Sequence, residues 1–115
     1  MSEPAHKHSH AGNAAAFADA MHERMQAMMS AMDAAPMSGD PDRDFLAMMI
    51  PHHQGAIDMA RLLLVQGRDP LTRQLSEEII ASQQAEIASM KARLKVLADG
   101  GDGDGFPALS GTRGR

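Results

Sequence analysis

The residues with the most evident chemistry are two adjacent histidines set among methionines. His52 and His53 follow Pro51 in the stretch Met48-Met49-Ile50-Pro51-His52-His53-Gln54-Gly55-Ala56-Ile57-Asp58-Met59. Imidazole nitrogen and thioether sulfur are neutral, soft donors, and Cu(I) is the common biological metal that accepts both. The chain has no cysteine, so any soft ligand must come from His or Met. This stretch therefore predicts a metal site, with copper favoured.

Helical spacing indicates how these side chains are grouped. At about 100° per residue, Met48, His52 and Met59 fall along one edge of an apolar arc, and Met49 lies one turn from His53. Both rings are expected to point inward or toward the edge of this arc. Buried ring nitrogens need partners, which are either a metal or ordinary hydrogen-bonding groups. We favour metal ligation, because two neighbouring histidines each have a methionine one turn away.

An earlier segment contains a second group of soft donors. Methionines recur there at intervals of four, three and four residues, a spacing that most often marks the packed face of a helix. His22 belongs to an adjoining face with Met25 and Met29. The alternative to plain packing is a second metal cluster made of Met21, His22, Met25, Met28 and Met29.

The third helical segment adds a carboxylate, Glu86, and a thioether, Met90, one turn apart. Glu86 falls within an apolar stripe, and a buried carboxylate is costly unless it is paired or bound to a cation. The stripe is predicted to be buried and contains Leu71, Leu75, Ile79, Ile87, Met90, Leu94 and Leu97. Glu86 is expected to hold an imidazole N–H, to bind the metal directly, or to pair with an arginine such as Arg61.

Capping signals delimit the helices that position these residues. Asp40-Pro41 and Asp69-Pro70 each combine an N-cap aspartate with proline in the first turn, and Gly67 provides a stop between them. Pro51 predicts a kink rather than a break, because the apolar period continues on both sides. The short link at 67–69 requires an antiparallel hairpin. The predicted helices cover residues 14–32, 41–66 and 70–98.

The chain divides into one helical domain and two tails. Residues 1–13 are predicted to be a disordered tail, residues 14–99 the helical metal-binding domain, and residues 100–115 a disordered, Gly-rich tail. The first tail carries His6, His8 and His10, which either chelate a divalent metal loosely or have no metal role. No signal peptide opens the chain, so an exported protein would need a leader removed from this sequence, and a cytoplasmic location stays open.

Composition limits the partners of the domain. A length of 115 residues allows one modest core, and a net charge of −4 with dispersed basic residues argues against nucleic-acid binding. No stretch is long and apolar enough to span a membrane. Two long helices and a shorter one should leave an apolar face open, so the expected partners are a metal ion, a second copy of the chain, and a protein that donates or accepts copper.

A longer pattern joins the second and third helices. It reads Asp44-Phe45, Met48, Pro51-His52-His53, Ala56-Ile57 and Met59-Ala60, and continues with Ile79-Ile80, Gln83-Gln84, Glu86-Ile87 and Met90. In this pattern the chain resembles the CopM-like copper-binding proteins, also called domain of unknown function 305. The resemblance covers residues 42–97. It implies a ferritin-like helical fold, binding of copper or silver through His and Met, and export to the periplasm.

We therefore predict an all-α, ferritin-like bundle that binds Cu(I), with Ag(I) as an alternative cargo, for metal tolerance, storage or transfer. No enzymatic activity is expected. A di-iron oxidase would need a Glu-x-x-His motif on each of two helices, and residues 14–99 contain none. The other alternative is a Met-rich helical module that binds apolar protein partners without a physiological metal.

Overall fold

Three helices form the part of the chain that the structure, a computed structural model, describes. The backbone is described for residues 2–100 and the side chains from Ala14 onward. The helices are α1, Ser2–Asp33; α2, Pro41–Gln66; and α3, Pro70–Ala98. Residues 2–100 contain no strand, so the predicted all-α class is confirmed.

The ends of α2 and α3 are set by the predicted caps. The Asp40 carboxylate accepts a hydrogen bond from the backbone N–H of Arg43, and Asp69 accepts from that of Thr72 at 2.9 Å. Proline occupies the first turn of each helix, where its missing N–H has no helical partner to lose. Gly67 ends α2, and its N–H donates to the carbonyl of Leu63. The helix is continuous through Pro51, as predicted.

Helix α1 differs from its predicted form. It begins at Ser2 instead of Ala14, and at 32 residues it is the longest helix instead of the shortest. Its backbone takes in residues 2–13, where the sequence predicts a disordered tail. Pro4 lies in the first turn, where proline is tolerated, and the Ala, His, Lys and Ser residues that follow do not stop a helix. The side chains of the tail histidines and all of residues 101–115 lie outside the described part of the chain.

Helix α2 is the centre of the arrangement. Helices α1 and α3 each pack against α2, and their described residues make no contact with each other. The antiparallel α2–α3 hairpin is fastened at its turn by Arg73, whose guanidinium donates to the carbonyls of Leu64 at 2.7 Å and Gly67 at 2.9 Å. These carbonyls belong to the end of α2, where helical partners are lacking. The three helices thus form an open layer.

Two small contact regions hold this layer together. On α2 and α3 the buried side chains are Ile57, Ala60, Ser76 and Ile87, of which Ile57 and Ile87 are 1% and 8% exposed. Between α1 and α2, Gly55 is covered by the side chain of Met28, and a Cβ at position 55 would overlap that side chain. Glycine at this position therefore allows the two helices to approach closely.

The predicted buried stripe of α3 is wrong in its first half. Ile87 is buried and Leu94 and Leu97 are half-buried, but Leu71, Leu75 and Ile79 are 69%, 57% and 41% exposed. Among the residues that the structure describes, α3 contacts only α2, so it buries one arc and leaves the adjoining apolar arc uncovered. Within residues 2–100, no helix combines the length and apolarity needed to cross a bilayer.

Candidate metal centre

His53 is the best-defined functional side chain of the hairpin. Its Nδ1 lies 2.9 Å from the carbonyl oxygen of Met49, one turn earlier in α2, and its Nε2 lies 2.6 Å from Oε1 of Glu86 on α3. A carbonyl oxygen can only accept, so the Nδ1 atom must carry a hydrogen. The Nε2 atom is within hydrogen-bonding distance of the Glu86 carboxylate. Two contacts in different directions fix the orientation of the ring.

Glu86 fulfils one of its three predicted roles. It bonds an imidazole nitrogen, as expected from the facing midpoints of α2 and α3, and its observed partner is His53 rather than Arg61. Its predicted burial is wrong, because the side chain is 56% exposed, against 17% for His53. The carboxylate reaches the ring from the rim of the hairpin, where water still solvates it. Because of this exposure, the carboxylate of Glu86 carries a smaller desolvation cost than a buried one would.

His52 is not buried between the helices, so of its two predicted positions, inward or at the edge of the apolar arc, only the edge is compatible with the structure. The residue is exposed, and its ring centroid lies 5.9 Å from that of His53 with the planes tilted by 59°. Consecutive residues on a helix diverge by about 100°, so two adjacent rings cannot both face α3. The ring of His53 takes the place beside Glu86, and His52 lies on the uncovered side of α2.

The predicted thioether ligands of the hairpin are partly covered by the layer. Four of them are half-buried: Met48, Met49, Met59 and Met90. Met49 also has a second function, since its backbone carbonyl orients His53. That function is independent of the side chain and is visible in the sequence only as the four-residue spacing between the two residues.

The five candidate metal ligands on α1 fall into two groups. Met21 and Met28 are half-buried, and Met28 packs over Gly55. His22, Met25 and Met29 instead line one shallow cavity of about 390 Å³ on the surface of α1. Its other lining residues include Asp33, a carboxylate that sequence reasoning missed although it lies one turn beyond Met29.

Few side chains that could bind a metal ion lie together in the described part of the chain. Among the residues whose side chains are described, no three His, Cys, Asp or Glu residues converge. The His53–Glu86 pair provides one nitrogen and one oxygen, and further ligands must be thioethers or groups supplied from elsewhere. Closed zinc sites use four donors, typically including thiolates. The His53–Glu86 pair supplies two of those four donors.

Two carboxylates have lowered pKa values because they accept hydrogen bonds at the starts of helices. The pKa of Asp44 lies below its ordinary 3.8 because the carboxylate accepts from the backbone N–H of Ser38, opposed in part by burial and aided by the Ser38 hydroxyl and the Gly39 N–H. The pKa of Asp69 is lowered mainly by the Thr72 hydroxyl and then by the Thr72 N–H. Both groups fix loops that precede helices and lie apart from the His53 contacts.

The fold and this site define an all-helical protein with a histidine–carboxylate pair across a helix hairpin. Residues 1–94 match a family described as a domain of unknown function, DUF305. The match covers most of the 115 residues, so the chain belongs to that family. A 53-residue segment is 43% identical to uncharacterized protein L153 of Acanthamoeba polyphaga mimivirus, covering 46% of this chain and 35% of the viral protein. The match therefore spans about a third of that relative.

Proposed function

We propose that this protein binds Cu(I), and Ag(I) by the same preference for soft donors, in metal tolerance, storage or transfer. The observation that carries the proposal is the orientation of His53 by the Met49 carbonyl and Glu86. The proposed ligands of the hairpin are Met48, Met49, His52, His53, Met59 and Met90, with Glu86 in support. The surface of α1 that holds His22, Met25 and Met29 is proposed as a second site.

The geometry of His53 supports a ligand role. Histidines that bind metals usually donate their other ring N–H to a carbonyl or carboxylate, which fixes the tautomer and the ring direction. The bond from Nδ1 to Met49 would provide such support and leave Nε2 as the metal ligand, once the contact between Nε2 and Glu86 opens. Glu86 beside Nε2 would act as a further ligand or as the acceptor of the displaced proton.

The methionines favour copper over harder metals. Glutamate and histidine alone would accept Zn(II) as readily as copper, whereas thioethers favour Cu(I). Methionine makes up 11 of the 115 residues, and the chain has no thiol to compete. Thioethers need no deprotonation and form no disulfides, which would suit the periplasmic or exported location that the family resemblance implies.

One structural observation favours a different function. Large apolar side chains remain exposed on α2 and α3, as expected for a helical module that binds a protein partner. In that case the His53–Glu86 contact would be an ion pair that holds the hairpin together. A di-iron oxidase is less well supported: Glu3 and His6 have the Glu-x-x-His spacing, but a single copy does not supply the two helices required.

A copper titration distinguishes a copper-binding protein from a helical module that binds only protein partners. Metal-free protein is titrated anaerobically with Cu(I) in the presence of a chromophoric Cu(I) chelator, and the retained copper is measured. At least one equivalent per chain is expected to stay with the protein. A parallel titration with Zn(II) and a zinc chelator is expected to give weaker binding. The absence of stoichiometric copper uptake, or tighter binding of zinc, would contradict the proposal.

A further inference from the structure

One side of the helical layer is apolar and uncovered. On α2, Phe45, Met49 and His52 follow one another at intervals of four and three residues and so lie on one face. On α3, Leu71, Leu75 and Ile79 recur every four residues, and Glu86, seven residues on, continues their line to His53. We call the surface made of Phe45, Met49, His52, Leu71, Leu75 and Ile79 the open face. Phe45 is 60% exposed, and the three α3 residues are exposed as well.

The opposite side of α2 is polar, which shows that the open face is not simply the outside of a small protein. Helical rotation places Gln54, Asp58 and Arg61 across the helix from the open face, with the contacts to α1 and α3 between the two sides. The Gln54 amide donates to Asp58 there at 3.0 Å. Val65 lies on this polar side, since it lines a cavity with Asp58 and Arg61. The layer therefore has one side that water solvates and one that requires a cover.

We propose that a second copy of this chain covers the open face, giving a two-fold dimer of helical layers. The two rows lie toward opposite ends of the antiparallel hairpin, so the side that contains them is as long as a 26-residue helix, about 40 Å, and, at about 20 Å for the width of two packed helices, roughly 800 Å² in area. This area matches the ~800 Å² that each partner buries in a stable interface. A dimer would also close the layer into two packed layers of helices around one core, the usual way in which amphipathic helices bury their apolar side.

Charge distribution identifies a copy of the chain as the suitable occupant. In a two-fold interface the same patch meets itself, so uncompensated charges would face their like. The six residues of the open face include no Lys, Arg, Asp or Glu. At its edge, Glu86 is paired with His53 of its own chain, and Asp42 and Arg93, which line a cavity with Phe45, carry opposite charges. A partner chosen by opposite charge would find little to recognise. Residues 101–115 contain only Phe106 and Leu109 as large apolar residues, too few to cover four exposed ones.

The test uses the full chain without metal, so that its result is independent of the proposed copper function. Sedimentation velocity from about 1 to 100 µM is expected to give a particle of twice the 12.3 kDa chain mass. Leu75→Glu, which puts a charge in the open face, should weaken the dimer about tenfold or more, because truncation or charging of a central apolar anchor removes over 1 kcal/mol of binding energy. Phe45→Glu should act likewise from α2.

Val65→Glu is the matched control, since it adds the same charge at an apolar residue that is 78% exposed on the polar side. It is expected to dimerise like the parent, and circular dichroism should give equal helicity for all variants. A parent protein that stays monomeric at the highest concentration would overturn the proposal. So would dissociation by Val65→Glu, or dimers of unchanged strength in both Leu75→Glu and Phe45→Glu.

Discussion

His53 is held by two acceptors on two different helices. Its ring bonds the Met49 carbonyl within α2 and the Glu86 carboxylate on α3, so its direction depends on the hairpin as well as on the helix. His52, one residue earlier, is exposed. Adjacent and chemically identical residues thus have different environments, and their substitutions should have different consequences.

The first prediction ranks substitutions at this site by their effect on Cu(I) affinity. His53→Ala removes the oriented nitrogen and should weaken binding by more than the ~10–100-fold expected for Glu86→Gln, which removes a supporting group. His52→Ala should leave the His53 site intact and reduce stoichiometry only if His52 binds a separate ion. The measurement is competition with a Cu(I) chelator for each single variant.

Circular dichroism is the control for folding. All three variants should keep the helicity of the parent, because His52 and Glu86 are exposed and alanine at position 53 is a good helix former. If all three variants bind copper like the parent, the His53–Glu86 contact is structural and the proposed ligand role is wrong.

The second prediction concerns acid stability through the N-cap of α3. The lowered pKa of Asp69 means that the folded state favours the charged carboxylate, through its bonds to Thr72. Its stabilising contribution is therefore present above the ordinary pKa of 3.8 and is lost as the pH falls through the lowered value. Asp69→Ala should be less stable than the parent near neutral pH, and the difference should shrink below about pH 3.8.

Urea unfolding at several pH values measures this effect. Asp69→Asn is the matched control, because asparagine is also a good N-cap but cannot titrate. It should keep much of the neutral-pH stability and should not contribute the same dependence on pH. A constant difference between Asp69→Ala and the parent at all pH values would exclude a charge-dependent cap.

At the scale of elements, the contact between α1 and α2 depends on one glycine. A Cβ at Gly55 would overlap the side chain of Met28, including its Cβ, which cannot swing away without moving α1. Gly55→Ala gains about 1 kcal/mol of helix propensity. Overpacking typically costs ~1–3 kcal/mol, so we expect a net loss of stability, measured by urea unfolding.

A double-mutant cycle tests whether Met28 is the cause. Met28→Ala removes two of the three overlapping atoms, so Gly55→Ala should be less harmful in that background, with a coupling of about 0.5–3 kcal/mol. The control pair is Gly55→Ala with Leu71→Ala, an exposed residue at the far end of the hairpin, for which the effects should add. Additive effects in both pairs would show that α1 does not pack on Gly55.

At the scale of the whole molecule, the hairpin and the N-terminal part of α1 should be separable. The two groups that orient His53, the Met49 carbonyl and the Glu86 carboxylate, lie on α2 and α3. In the first turns of α1, the candidate ligands are the tail histidines. Deleting residues 2–12 should therefore leave Cu(I) affinity of the hairpin unchanged. Affinity and stoichiometry measured on the shortened chain test this expectation. Loss of the most tightly bound copper ion in the shortened chain would mean that the tail supplies ligands to the main site.

The sequence alone determined the local features of this protein. Asp40 and Asp69 with their prolines predicted the starts of α2 and α3, because caps and proline act on the nearest backbone groups. The short link predicted the antiparallel hairpin, and an imidazole was one of the three partners that this pairing of helices predicted for Glu86. Each of these inferences needs only neighbouring residues or one known pairing of helices.

Only the tertiary structure decided which faces are covered. The apolar period of α3 is the same at Leu75 and at Ile87, yet one is exposed and the other buried, because only part of that stripe faces α2. The same reason separates His52 from His53, since a wheel places both near the apolar arc but cannot say where the neighbouring helix lies. Burial depends on the number and position of neighbours, and here α1 and α3 both pack on α2 and leave the face between them open.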